Sequence, residues 1–163
     1  MQKRVKFLAF FVLRFAYNTK NTPLSARVIV ALALKKMNYR VTLSNYKEDK
    51  YYPKVVRVVS EILESKRVVN TIDVFSRMGV LSEENIKKWN AGQVNYLESV
   101  VECNLSKANR IMAILGFHAH DLNLSKSTNF VKRKGQYLRF TKSGIKKMEE
   151  CYARQYSVIG KKC

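Results

Sequence analysis

The chain has 163 residues, a formal net charge of +19 and an apolar share of 47%. That apolar share supports a folded core and excludes a chain disordered by composition, and the length suits one domain with or without an appendage. So large a cationic excess is costly in self-repulsion unless a polyanion relieves it, which points to nucleic acid first and to an anionic membrane surface second.

The charge is unevenly spread. Residues 1–47 carry lysines and arginines but no acid, and from Leu122 onward the only acids are Glu149 and Glu150. Two basic arms therefore flank a more balanced centre, a pattern that points to a partner rather than to solubility alone.

Residues 1–45 read as a basic, apolar N-terminal appendage. The runs "KFLAFFVL" and "VIVALAL" are far shorter than the ~20 residues that span a bilayer. They are expected to be buried elements, with a membrane-surface anchor as the alternative. "YRVTL" (39–43) would fit a strand. Residues 46–53, polar and ending at Pro53, read as a linker, and residues 54–163 as the main domain.

Beyond Pro53 the periodicity becomes helical. Val55, Val56, Val59, Ile62 and Leu63 share one face. "NTIDVFSRMG" suits a short helix capped by Asn70 or Thr71 and ended by Gly79. "LSEENIKKWNAG" suits another, with Ser82 as its cap, Glu83 and Glu84 in its first turn and Gly92 as its stop. Val94, Leu97, Val101, Leu105, Ala108, Ile111, Met112 and Leu115 predict a long helix, broken near Asn104. "NFVKRKGQYLRFTKSG" (129–144) has β-rich arms around a Lys-Gly turn and reads as a hairpin. A last helix is expected from Ile145 to about Tyr156. The expected fold is mainly α: a helix-turn-helix-like domain with a C-terminal β-hairpin wing, a small α+β protein.

Ile86, Trp89 and Gly92 form an Ile-x-x-Trp-x-x-Gly pattern, and Gly79 with Val80 precedes it. On these residues, segment 71–115 resembles the DNA-binding core of phage-repressor-type helix-turn-helix proteins. It departs from them in a bulky Phe75 where a small residue is usual, and in an extra Leu81 that lengthens the turn. "YLESVVECNLSK" and "YLRFTKSGIKKMEECYA" also look like segments of a group of small bacterial proteins, a likeness that brings no function with it.

The resemblance implies that the helix around Trp89 enters the major groove. Asn85, Lys87 and Lys88 would then face bases or phosphates, with a solvated helix face as the alternative for the two lysines. Trp89 is expected to anchor the core rather than to stack on bases. Lys132, Arg133 and Lys134 at the hairpin turn, with Arg139 and Lys142 after it, would grip phosphates. Phe140 is expected in the core and Tyr137 half-exposed.

The expected activity is non-enzymatic nucleic-acid binding, double-stranded DNA ahead of RNA, with a homodimer if the target is palindromic. An RNA-binding module and a membrane-surface or protein-interaction module are the alternatives. No nucleophile elbow, phosphate loop or HExxH is present. His118 and His120 point apart on a helix, so neither a metal nor a cofactor is expected. Cys103, Cys151 and Cys163 form no CxxC pair and read as free thiols of a cytoplasmic protein, nucleoid-associated if DNA is the partner.

Overall fold

In the computed structural model, which describes residues 40–159, the chain enters the first described helix through Pro53. Helix α1 (Tyr52–Lys66) tolerates that proline because the first-turn N–H has no helical partner anyway. It buries Val55, Val58, Val59 and Ile62. Val58 replaces the expected Val56 and Leu63, which are only half-buried; the 3.6-residue repeat carries the stripe through 55, 58, 59 and 62. Arg67 ends the helix in the left-handed region at φ 56, donating its N–H to the Leu63 carbonyl at 3.1 Å.

Strand β1 (Val68–Asn70) follows directly, then helix α2 (Thr71–Arg77). Asn70 caps α2 as expected: its side-chain oxygen accepts the Asp73 N–H at 2.8 Å. Helix α3 (Glu83–Asn90) is capped by Ser82, whose hydroxyl accepts the Asn85 N–H at 3.3 Å.

The break expected near Asn104 is present, but the stretch before it is not an α-helix. Leu97–Val100 is a 3-10 turn, and helix α4 (Leu105–Asp121) begins only after Asn104, whose side chain accepts the Lys107 N–H at 2.8 Å. The apolar repeat runs through both pieces, but the backbone of the first is spent elsewhere. Leu97 and Glu98 donate their N–H groups to the carbonyls of Arg139 and Phe140 at 3.1 and 2.8 Å.

Helix α4 packs on α1 and buries Ile111, Ile114, Leu115, His118 and Ala119. After it come β2 (Ser125–Thr128), the two short arms β3 (Lys132–Arg133) and β4 (Gln136–Tyr137), helix α5 (Lys146–Tyr152) and β5 (Arg154–Ser157). The last helix is thus shorter than expected, and residues 154–157 form a strand. That strand is the centre of an antiparallel sheet in the order β1–β5–β2, with Tyr156 opposite both Val69 and Lys126. The hairpin is real but tight. Its arms are two residues each, joined by Lys134 and Gly135, both at positive φ (47 and 83). That pairing of angles is what a two-residue turn matching strand twist demands.

Among the described residues the fold is therefore five helices with a small antiparallel sheet and a separate hairpin, a small α+β architecture. Residues 46–53, expected to be a linker, are instead packed. Tyr46 and Asp49 are buried, the Tyr46 hydroxyl hydrogen-bonds Asp121, and Asp49 accepts two hydrogen bonds from the Arg110 guanidinium. Residues 41–159 belong to one compact unit, and residues 40–43 contain no strand. The expected appendage over residues 1–45 lies almost wholly outside the described residues.

Candidate nucleic-acid interface

Trp89 organises the region that carries most of the expected binding residues. It is fully buried, its ring lies 5.1 Å from that of Phe140, and its indole N–H donates to the Arg139 carbonyl at 2.9 Å. It is a core anchor with its one polar atom satisfied. Phe140 is likewise fully buried, while Tyr137 is 61% exposed. The Glu149 carboxylate fastens the return strand to α5, accepting the N–H groups of Phe140 and Thr141 and the Thr141 hydroxyl at 2.6–2.8 Å. The base of the hairpin is thus held from two sides, by α3 and by α5.

The tip projects from this support. Lys132, Arg133 and Lys134 are all exposed, and among the described residues none of them forms an ion pair. The Lys132 ammonium sits 4.6 Å from the Tyr137 ring centre. The Arg133 side chain lies across Gly92: a Cβ there would come within 2.0 Å of its guanidinium. Gly92 is at φ +66, so it both turns the chain and makes room for the arginine. Arg139 and Lys142 are also exposed, but the Arg139 guanidinium is engaged locally, donating to the Lys142 carbonyl at 2.8 Å.

Helix α3 divides its expected binding residues. Asn85 is half-buried, and its amide donates to the Val100 carbonyl and the Glu102 carboxylate, each at 3.3 Å. Lys88 is exposed and pairs with Glu84 at 2.6 Å; the ammonium holds the Glu84 carboxyl below its ordinary value. Lys87 is exposed and among the described residues has no ion pair.

Residues 81–101, including α3, form an excursion that leaves and returns at one point. The Glu102 N–H donates to the Val80 carbonyl at 2.8 Å. Across that bond, α2 and its Gly79 turn lead straight to the start of α4. The first turns of α4 expose Leu105, Ser106 and Asn109 on one side, opposite its buried stripe. The break expected near Asn104 is where α4 starts, but the apolar repeat continues across it, so the exposed face just after the break did not stand out in the sequence.

His118 is buried with its ring edge-on to Tyr52 at 5.9 Å, while His120 is exposed, so the two do point apart. Among the described residues no group of three His, Cys, Asp or Glu side chains gathers in a way that could hold a metal ion. Nor is any helix among them long and apolar enough to cross a membrane. Comparison with protein-family models, with curated proteins and with solved structures finds no match to this chain.

Proposed function

We propose that this protein binds nucleic acid without catalysing a reaction, with double-stranded DNA as the preferred form. The observation that carries the reading is the hairpin tip: three consecutive cations, exposed and without ion pairs among the described residues, on a turn braced from below by Trp89, Phe140 and Glu149. A net charge of +19 needs a polyanion, and a stiff cationic turn grips phosphates with little loss of order on binding.

The helix-turn-helix in this reading is α2, the Gly79 turn and α4, with α3 looped out between them. Two features support that choice over the pairing of α2 with α3. The Val80–Glu102 hydrogen bond closes the excursion, and Asn85 on α3 is already committed to Val100 and Glu102. Helix α4 then offers Ser106 and Asn109 to base edges, and Asn is suited to paired hydrogen bonds with adenine. The hairpin, which lies between β2 and β5 in the chain, acts as the wing on the phosphates.

The test is fluorescence anisotropy of labelled duplex DNA, single-stranded DNA and duplex RNA, each titrated with the full chain over a range of salt. Duplex DNA bound ahead of the other two, with steep salt dependence, is the expected result. Equal or stronger binding of duplex RNA would move the function to RNA, and no binding of any of the three near physiological salt would sink the reading.

A further inference from the structure

A second cationic cluster lies away from the hairpin in sequence. Tyr51 immediately precedes α1, and its half-buried ring is surrounded by three positive groups. The Lys50 ammonium is 5.0 Å from the ring centre, the Arg110 guanidinium carbon 5.1 Å and the Lys107 ammonium 5.7 Å. The two lysines stand on different elements, Lys50 in the turn before α1 and Lys107 in the first turn of α4.

Among the described residues one carboxylate sits in this cluster. Asp49 is buried and accepts both the Nε and an Nη hydrogen bond of Arg110, at 2.9 and 2.7 Å, and it also accepts the Tyr51 N–H at 2.9 Å. It fixes the guanidinium and the ring in place, and it leaves the cluster with more positive than negative charge. The face of the ring attracts cations, which explains why they gather there, but like charges so close repel one another. An anion with several oxygens would satisfy the lysines and relieve the repulsion together.

We infer that Lys50, Lys107 and Arg110, arranged around Tyr51, seat a phosphodiester of the nucleic-acid backbone beside the start of α4. The inference rests on the proposed function and adds to it a phosphate site separate from the hairpin. Lys107 lies next to Ser106 in the chain, so a phosphate held there would fix the register of α4 against the bases.

The experiment compares three forms of the full chain on one duplex DNA across salt: wild type, Lys50→Gln with Lys107→Gln, and Lys132→Gln with Lys134→Gln. The lysine pair around Tyr51 should lower the slope of log affinity against log salt by about 0.9, the value for one phosphate no longer neutralised. Circular dichroism and thermal melting should match wild type, since Lys50 is exposed and Lys107 half-buried, and glutamine keeps a polar side chain at both. If the hairpin pair lowers the slope and the Tyr51 pair does not, the inference is overturned while the proposed function stands. If wild type binds no duplex, both fall. A third arm follows the amide NMR signals of Lys50, Tyr51 and Lys107. If these move with millimolar inorganic phosphate at constant ionic strength but not with duplex, the cluster serves a free anion and the backbone assignment is overturned.

Discussion

The backbone N–H of Glu102 donates to the carbonyl of Val80 at 2.8 Å, so the chain between them begins and ends at a single hydrogen bond. In the proposed function this closure gives α3 and α4 different roles. Ser106→Ala and Asn109→Ala should each lose about 1–3 kcal/mol of discrimination at one base position. Lys87→Ala with Lys88→Ala should weaken all duplexes alike, and by less. Competition between randomised duplexes distinguishes the two, and loss of sequence preference in the Lys87/Lys88 variant would return base reading to α3.

The hairpin should supply affinity without sequence choice. Replacing Lys132, Arg133 and Lys134 by alanine is expected to flatten the salt dependence of duplex binding by about 0.9 for each phosphate the turn no longer neutralises. The ranking of preferred sequences should stay the same. An altered ranking would mean that the turn touches base edges.

Trp89 holds α3 to the hairpin base, and its loss should be felt as stability. Trp89→Ala is expected to lower the unfolding free energy by about 3–5 kcal/mol, the usual cost of emptying a large buried site. Trp89→Phe should cost less. It keeps a ring against Phe140 and gives up the indole hydrogen bond, worth about 1 kcal/mol, while the Arg139 carbonyl still accepts from Leu97. Urea denaturation followed by far-ultraviolet circular dichroism measures both, and near-equal midpoints for Trp89→Ala and wild type would contradict the anchoring role.

The short helices were legible in the sequence because their punctuation is local. Asn70, Ser82, Gly79 and Gly92 act within a few residues of where they stand, and each does in the structure what its side chain or its freedom at positive φ suggests. The Lys134-Gly135 turn was legible for the same reason. The three-stranded sheet was not. Residues 125–128 are polar and wholly exposed, so they carry no alternating pattern, and they become a strand only because β5 offers them a partner across a long stretch of chain. The Tyr51 cluster was hidden for a related reason: Lys50 and Lys107 are far apart in sequence, and only the packing of α1 on α4 brings them to one ring.

Acid should weaken the fold through His118. The imidazole is buried, and burial is the main cause of its lowered pKa; Asp121 pulls the other way and the Lys47 charge adds to the lowering. The unfolded chain, with an ordinary value of about 6.5, therefore takes up the proton at a higher pH than the folded one does. The stability this histidine contributes is whole above that value and is lost as pH falls through it toward the folded pKa. Urea midpoints should drop between about pH 7.5 and about pH 5.5 in wild type and drop less in His118→Gln. Parallel curves for the two proteins would assign the acid sensitivity elsewhere.

Among the described residues strand β2 lies at the edge of its sheet, with all four of its residues, Ser125 to Thr128, exposed. An open edge invites another chain to add to it, and here the guards are polar side chains, Lys126 among them, and mutual repulsion between highly charged molecules. Nucleic acid, the partner proposed above, would cancel the second guard. Complexes near charge neutrality should therefore be the ones that cluster, and excess of either component should disperse them. Turbidity would then peak at one mixing ratio, and the concentration of partner would decide whether the protein works singly or condenses along the duplex.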